Sequence, residues 1–583
     1  MQVSVCVQDK LQQGVSMTKG TQMSGRQYFS VLLLVIVLTA TVSAQNSQLG
    51  KVEFATSGSE KAQAHFLRGL AALHSFWYEE ALEAFREATK VEPDFMMGYW
   101  GEAMAHNHTL WSEQDFTAAR EVIGKIKGTP KLTARERAYL AAVKLLYGEG
   151  NKRERDTAYS VAMEKVYKDY GDDLDAAAFY SLSLLGLMKP EEKSYRLQAR
   201  AGAIALEVYQ KNPNHPGAAH YIIHSFDDPE HAILALPAAR RYATIAPEAY
   251  HARHMPSHIF LQLGMWPEAA SSNEAAWESS DTWMKRKNLS PSVRDYHSLH
   301  WLLYVYLQQG RYHKAEELLS LMKKTMSESS FDNKLRPNYY ENNYANMAAA
   351  FVVETERWQL AQSFFPADAP AAVGQAASSR IEAPAMPGSH GGHGASAPVT
   401  ADGPTTVRAS NRGKTLPLFV RGLSYAVGGS AEVESMIAAL RSSGSGPMLE
   451  IRELEIAALA ASMKKDHATA IDLMKKAVAL EEQLGPPSGP PQLVKPSHEL
   501  NGEVLLRAGK PDLALEQFKI SLLRQPNRAR SLLGAARAAA QSGDQRSAAS
   551  YYATLVEQWK HADEGLPELR EAHEFVKKAG TIP

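Results

Sequence analysis

The chain has 583 residues, 45% hydrophobic and 22% charged, which is the composition of a folded globular protein. Its 63 Lys and Arg residues nearly balance 64 Asp and Glu residues, so the formal net charge is -1. Because no overall positive field would attract a polyanion, this balance argues against a nucleic-acid partner.

The first 44 residues carry the pattern of an export signal. Lys19 and Arg26 precede an apolar run at residues 29–38, and Val-Ser-Ala follows at residues 42–44. A basic stretch, a short apolar run and a small-x-small site make up a secretory signal peptide, which we place at residues 1–44. The alternative is a membrane anchor, but the run is shorter than the ~20 apolar residues that a spanning helix needs. We therefore expect an exported protein, periplasmic or extracellular, without a membrane span after cleavage.

The single cysteine, Cys6, lies in the segment that we expect to be removed. The mature chain would then contain no thiol. This excludes disulfides, a cysteine nucleophile and thiolate metal ligands, and leaves packing alone to stabilise the fold.

After residue 55 the chain is predicted to be helical, because apolar residues recur at spacings of three and four. Residues 61–93 read KAQAHFLRGLAALHSFWYEEALEAFREATKVEP. The segment resembles the tetratricopeptide repeat, a 34-residue helical hairpin, at Gly69, Tyr78, Ala81, Phe85, Ala88 and Pro93. We expect Gly69 to let the two helices approach closely and Phe85 to fill the space between them. Pro93 should end the second helix.

The same pattern returns further along the chain. A C-terminal copy is marked by Gly502, Ala514, Phe518 and Pro526. Copies in the middle of the chain are marked by Gly264 with Ala269 and by Gly310 with Ala315. The sequence therefore predicts an all-α fold, a solenoid of stacked antiparallel helix hairpins with an extended concave surface.

One stretch breaks the repeats. Residues 366–414 are rich in Ala, Pro, Gly and Ser, a composition that cannot bury enough apolar surface to fold. We predict a disordered, flexible insertion there. It separates an N-terminal solenoid at residues 55–365 from a C-terminal solenoid at residues 415–580.

Two further stretches, YWGEAMAHNHTLW at residues 99–111 and PNRARSLLGAARAA at residues 526–539, resemble those of uncharacterised exported bacterial tetratricopeptide proteins. That resemblance implies no activity. The sequence contains no nucleotide-binding loop, Gly-x-Ser-x-Gly elbow or His-Glu-x-x-His helix. These observations favour a binding or scaffold protein with a protein or peptide partner over an enzyme.

Two histidine pairs are the most distinctive feature of the repeats. His220 and His224 are four residues apart, as are His254 and His258, so each pair should lie on one helix face. The two pairs are separated by 34 residues, which is one repeat. They fall at the fifth and ninth positions, which in tetratricopeptide proteins line the concave groove and often carry Lys or Asn for a peptide carboxylate. Histidine at these positions departs from the family pattern.

Neighbouring repeats extend the set. His300 falls at the fifth position of the next repeat, and second positions also carry histidine. We predict that the metal ligands are His220, His224, His254, His258 and His300. We predict that the groove is further lined by His251, His297, Tyr304, His74 and His108.

Three interpretations of these residues stay open. All-imidazole sets suit Cu or Zn, with Asp227, Asp228 or Glu274 orienting the ligands. The same residues would also suit a peptide or small organic ligand, and repeat duplication could have copied a structural histidine. A metal held by histidines with an open position could activate water, so a metal-dependent enzyme is the alternative to a binding protein.

Overall fold

The computed structural model describes residues 48–188, 194–332, 338–366 and 412–579. The predicted signal peptide and residues 367–411 of the predicted insertion lie outside these ranges. From Arg412 onward the chain is helical, so the predicted boundary at residue 414 falls inside a helix. Among the helices described, none is long and apolar enough to cross a membrane.

Helices joined by short turns make up the part of the chain before residue 367. They are α1 (Glu60–His74), α2 (Tyr78–Val91), α3 (Met96–Ala105), α4 (Phe116–Ile123), α5 (Ala134–Leu146), α6 (Lys152–Asp169), α7 (Leu174–Gly186), α8 (Arg196–Lys211), α9 (Pro216–Ser225), α10 (Ala232–Ile245), α11 (Tyr250–His254), α12 (Pro256–Gln262), α13 (Trp266–Lys287), α14 (Tyr296–Gln308), α15 (Tyr312–Met326), α16 (Tyr339–Thr355) and α17 (Leu360–Phe364). Between α3 and α4 a short antiparallel ladder joins β1 (Asn107–His108) to β2 (Glu113–Gln114). Single 3-10 turns occupy Thr109–Trp111 and Pro291–Val293.

The part after residue 411 continues in the same way. Its helices are α18 (Arg412–Val427), α19 (Val433–Ser442), α20 (Pro447–Met463), α21 (His467–Leu484), α22 (Ser497–Arg507), α23 (Pro511–Arg524), α24 (Ala529–Ser542), α25 (Gln545–Gln558) and α26 (Pro567–Ala579). Consecutive helices pack against each other through most of the chain, so the all-α solenoid predicted from the sequence is confirmed.

Phenylalanine packed against glycine holds the hairpins together at both ends of the chain. A Cβ atom at Gly69 would lie 2.8 Å from the ring of Phe85, which is closer than side chains tolerate. At the other end, a Cβ atom at Gly502 would lie 2.7 Å from the ring of Phe518. Both rings are fully buried, and α2 ends at Val91, before Pro93. The predicted roles of glycine, phenylalanine and proline in the repeat are therefore confirmed.

The C-terminal helices pack directly on the helices that carry the histidines. One hydrophobic cluster contains Leu302 of α14 together with Leu416 of α18 and Leu555 of α25. The indole of Trp559 donates a hydrogen bond to the Gln308 carbonyl at 2.9 Å. The two predicted solenoids thus share a core, and the C-terminal helices pack against the helices that carry the histidines.

Candidate metal centre

Neighbouring first helices of the repeats carry the histidines. His220 and His224 lie on α9, and His254 and His258 lie on either side of the junction between α11 and α12. Pro256 begins α12, yet the His258 amide still donates to the Met255 carbonyl at 3.1 Å, so the chain stays close to helical through the junction. Both pairs therefore present their rings on one face, as the four-residue spacing predicts.

The histidines form two groups rather than one. The first triad is His220, His224 and His251, and the second triad is His254, His258 and His297. Within each triad, one ring nitrogen from each histidine lies within 4.8 Å of the others. Each pair finds its third member on the first helix of the following repeat, so the four histidines predicted to converge are divided between two neighbouring groups.

In the first triad the Nε2 atoms converge. The Nε2 atom of His220 lies 3.0 Å from that of His224 and 3.2 Å from that of His251. The Nδ1 atom of His220 lies 2.7 Å from the His74 carbonyl. A carbonyl only accepts hydrogen bonds, so this Nδ1 carries the proton and the neutral ring keeps its lone pair on Nε2.

In the second triad, Nδ1 atoms are again held by hydrogen bonds, and here their partners are side chains. His254 Nδ1 lies 2.7 Å from Asn273 Oδ1, and the Asn273 amide nitrogen donates to the Ala269 carbonyl at 2.8 Å. That second bond fixes the amide so that its oxygen faces the imidazole. His258 Nδ1 donates to the Asp227 carboxylate at 2.7 Å. Both Nε2 atoms therefore carry lone pairs, and they face each other at 3.1 Å.

Burial lowers the pKa values of several of these imidazoles and so favours their neutral form. Removal from water lowers the pKa of His220 to about 3, with a smaller contribution from the neighbouring His258. Burial also lowers the pKa values of His224 and His254 well below the ordinary histidine value. The neutral ring is the form that binds metal ions. Solvent reaches the two triads at His224, which is partly exposed, and at His297, which is exposed.

An aromatic side chain forms a wall beside each triad. The ring of Phe76 lies 4.2 Å from that of His220 and 5.8 Å from that of His251. Phe76 adopts φ 52°, a left-handed conformation that a bulky residue rarely takes and that is typical of functional sites. The indole of Trp301 lies 4.2 Å from the ring of His258 in the second triad. Each triad is therefore flanked by an apolar aromatic ring.

A proline-rich loop from the C-terminal half packs against Trp301 and Gln262 beside the second triad. This cover loop, residues 485–496, joins α21 to α22. At Gly489, with φ 143°, a Cβ atom would lie 2.5 Å from the ring of Trp301. The Gln262 amide donates to the Pro487 carbonyl at 2.9 Å, and it also donates to Asp227 at 3.2 Å. The C-terminal repeats thereby reach the second triad through Trp301 and Gln262.

The other predicted site residues lie elsewhere. His74 is fully buried behind His220, and His108 stacks on Tyr78 at 4.0 Å near the first triad. His300 is in neither triad. Tyr304 is buried and accepts a hydrogen bond from Arg528 at 3.1 Å. Of the predicted groove residues, His251 and His297 are the ones that complete the triads.

A third group, His74, Asp175 and His215, is a closed hydrogen-bond network. His74 Nε2 lies 2.9 Å from Asp175, which leaves Nδ1 to accept from the Tyr221 hydroxyl at 2.9 Å. His215 Nδ1 accepts from the Ala218 amide at 3.1 Å. Burial would raise the pKa of Asp175, but hydrogen bonds from His215 and His74 outweigh it and lower that pKa. Since donors already occupy the ring lone pairs, this group orients the His74 backbone rather than offering metal ligands.

The partners that orient the triads were only partly foreseen. Asp227 is one of the three carboxylates expected to orient a ligand, whereas Asp228 pairs with His231 and Glu274 accepts from Tyr306. No sequence signal marked Asn273 or Phe76. Asn273 lies on α13 and Phe76 in the turn after α1, so both reach the histidines only through tertiary packing.

Comparison with known proteins identifies the repeats. Residues 62–95 and residues 500–563 each match a family model described as tetratricopeptide repeat. A search of curated proteins finds no match. The crystal structure of the yeast Tom70 is similar at 12% identity over 90% of this chain and 89% of that chain, with a TM-score of 0.27. The repeats predicted at the two ends of the chain are confirmed by the two family matches.

Proposed function

We propose that this chain is a tetratricopeptide scaffold that binds two transition-metal ions, copper or zinc, one at each histidine triad. Tetratricopeptide repeats are interaction modules, and their stacked helices hold side chains in fixed register. Three imidazoles at each site, with the rings of the second triad held by Asn273 and Asp227, match the way proteins hold metal-binding histidines.

The main support for this proposal is that the Nε2 lone pairs of His254 and His258 face each other. Two acceptor nitrogens at 3.1 Å repel each other unless a cation lies between or beside them. Protonation of His254 would make its ring an imidazolium, which the burial of that side chain opposes. A metal ion satisfies both lone pairs without that charge on the ring.

The spacing of the nitrogens also suits these ions. Around a tetrahedral zinc with bonds of about 2.0–2.1 Å, neighbouring nitrogens lie roughly 3.3 Å apart. The Nε2 atom of His220 lies 3.0 Å from that of His224 and 3.2 Å from that of His251, and the Nε2 atoms of His254 and His258 are 3.1 Å apart. Imidazole is a ligand that zinc and copper both accept, and neither triad contains the carboxylates preferred by magnesium or calcium.

Metal analysis of the untagged mature chain by mass spectrometry tests the proposal. We expect two equivalents of copper or zinc per chain, and one equivalent in each of His224→Ala and His297→Ala. These histidines are the solvent-accessible members of their triads, so their loss should leave folding intact, as circular dichroism will report. His561→Ala, an exposed histidine on the C-terminal repeats, should keep both ions. A chain that takes up neither metal from excess would refute the proposal.

A metal-dependent enzyme is the second candidate function, and the number of histidines at each proposed metal site favours it. Three histidines per ion leave a coordination position open, which is the arrangement of catalytic rather than structural zinc sites. His297 lies where solvent reaches the second triad. Metal-loaded chain should then turn over an ester, a phosphoester or a phenol, and His297→Ala should lose that turnover. Equal rates in both proteins would remove the enzyme from consideration.

We further propose that the protein is exported and presents its repeats to a protein or peptide partner. The basic, apolar and small-residue pattern of residues 1–44 supports export, and the tetratricopeptide matches support protein binding. N-terminal sequencing of the protein from the compartment where it accumulates should begin at Gln45. An intact N-terminus on protein found in the cytoplasm would contradict export.

A further inference from the structure

We infer that the two triads form a single two-metal centre that binds a small inorganic anion, of the hydroxide or azide kind, between its ions. The inference rests on the proposed metal binding and goes further, because two sites on one scaffold need not communicate. Three points support this inference. Rings of the two triads are in contact, the centre with both metal ions bound would have excess positive charge, and aromatic side chains flank it.

The triads touch each other at two places. The ring centroids of His224 and His258 are 5.8 Å apart, and those of His251 and His254 are 6.0 Å apart. These are distances of direct ring contact. The rings of one triad therefore pack directly on the rings of the other at these two places.

The repeat explains why the triads lie side by side. Each triad takes the fifth- and ninth-position histidines of one repeat and the second-position histidine of the next. Stacked first helices lie about 8–10 Å apart, so equivalent sites on consecutive repeats must be close. His251 and His254, three residues apart in α11, belong to different triads and tie the two sites to one rigid element.

With both metal ions bound, the centre would have an excess of positive charge. Six neutral imidazoles leave the four positive charges of two divalent ions uncompensated by their ligands. Asp227 adds one negative charge through its hydrogen bond to His258. In a buried setting, remaining charge is strongly destabilising unless a counter-charge binds. An anion bound between the ions supplies it and fills the open position on both metals.

The walls of the site limit the size of this anion. Phe76 lies beside the first triad and Trp301 beside the second, each with a ring centroid 4.2 Å from a ligand imidazole. The cover loop packs on the outer side of Trp301 at Gly489. Access remains at His224 and His297. This enclosure suits an anion of one to three atoms better than a peptide or a nucleotide.

Electron paramagnetic resonance of the copper(II)-loaded, full-length mature chain tests the inference, with azide as the probe anion. Two copper(II) ions joined by a bridging anion couple their spins, so we expect the signal to fall by about an order of magnitude when one azide is added per two coppers. His224→Ala should bind one copper, at the second triad, and azide should not quench its signal.

The outcomes separate the inference from the proposed function. If the chain binds two coppers that keep the full signal of isolated ions after azide, the metal sites stand and the two-metal centre is wrong. If it binds neither copper nor zinc, both the sites and the centre are wrong. Two azides bound per chain, one to each copper, would also overturn the shared centre.

Discussion

Imidazole side chains normally donate with one nitrogen and accept with the other, and the second triad departs from this pattern. His254 donates its Nδ1 hydrogen to Asn273 and His258 donates its own to Asp227, so both Nε2 atoms are acceptors. They lie 3.1 Å apart in a region that burial makes unfavourable for charge. Residue by residue, this arrangement fits metal ligands whose outward nitrogens are held by the protein.

Asp227→Asn should weaken metal binding at the second triad. The amide replaces a carboxylate that fixes the His258 tautomer and raises the basicity of its Nε2, so we expect affinity there to fall roughly 10- to 100-fold. Competition titration with a chromophoric chelator will measure it, with the first triad as internal reference.

Asp228→Asn is the matched control for that change, because this neighbouring carboxylate pairs with His231 instead of a triad histidine. It should leave both affinities unchanged. Equal losses in the two variants would show that Asp227 acts through general charge and not through His258.

The sequence predicted the two histidine pairs but not how the histidines divide into the two triads. His220, His224, His254 and His258 are visible as two pairs one repeat apart, and each pair does share a helix face. Which histidine completes each pair depends on the distance between stacked helices, which spacing along the chain does not encode. His251 and His297 were therefore expected in the groove and are found beside the pairs.

Among the elements, the cover loop links the two halves of the chain at the site. Residues 485–496 run from α21 to α22 and contact Trp301 and Gln262, which lie on α14 and α12. Glycine is required at position 489 for two reasons. Its φ of 143° is one that other residues rarely adopt, and a Cβ atom would lie 2.5 Å from the Trp301 indole. The loop thus packs on the indole beside the second triad, and we expect it to limit access to that triad.

Gly489→Ala should open the second triad. The added methyl group pushes the loop away from Trp301, so we expect a chelator to remove the second-triad ion several-fold faster while the first-triad ion leaves at its usual rate. Stopped-flow chelation of the zinc-loaded chain will separate the two phases. Gly485→Ala is the control, because its φ of 74° imposes similar backbone strain with nothing within 4 Å of the added carbon. Identical rates in both variants would contradict a covering role.

Hairpin packing is the element-level feature that the sequence predicted well. Gly69 and Phe85 occupy repeat positions whose spacing alone places them face to face, and the structure has them in contact. The break at Pro256 and the left-handed turn at Phe76 were not predicted. Pro256 is accommodated by starting a new helix, and the Phe76 conformation depends on packing against the triad.

At the scale of the whole molecule, a buried ion cluster joins the C-terminal repeats to the N-terminal ones. Arg528 is fully buried and lies 2.7 Å from both Glu499 and Glu354, and it also donates to Tyr304. Glu354 and Tyr304 belong to the N-terminal part. The sequence predicted two solenoids divided by an insertion, but long-range pairing of this kind leaves no local pattern.

Arg528→Met should destabilise the whole chain. It leaves Glu499 and Glu354 buried without their shared cation, and breaking such a pair lowers the free energy of unfolding by about 3–5 kcal/mol. Urea unfolding followed by circular dichroism will measure it. Arg546→Met, at an exposed arginine on α25, should change stability by less than about 0.5 kcal/mol. A similarly small effect at Arg528 would contradict a role for this ion cluster in holding the two halves together.

The central claim is that the repeats hold one metal ion in each histidine triad, and anomalous X-ray diffraction from crystals of the metal-loaded chain tests it most directly. Data collected on either side of the copper or zinc absorption edge will locate the ions without reference to activity. We expect two anomalous peaks, one bounded by His220, His224 and His251 and one bounded by His254, His258 and His297. Peaks only at surface histidines, with both triads empty in crystals soaked with excess metal, would contradict it.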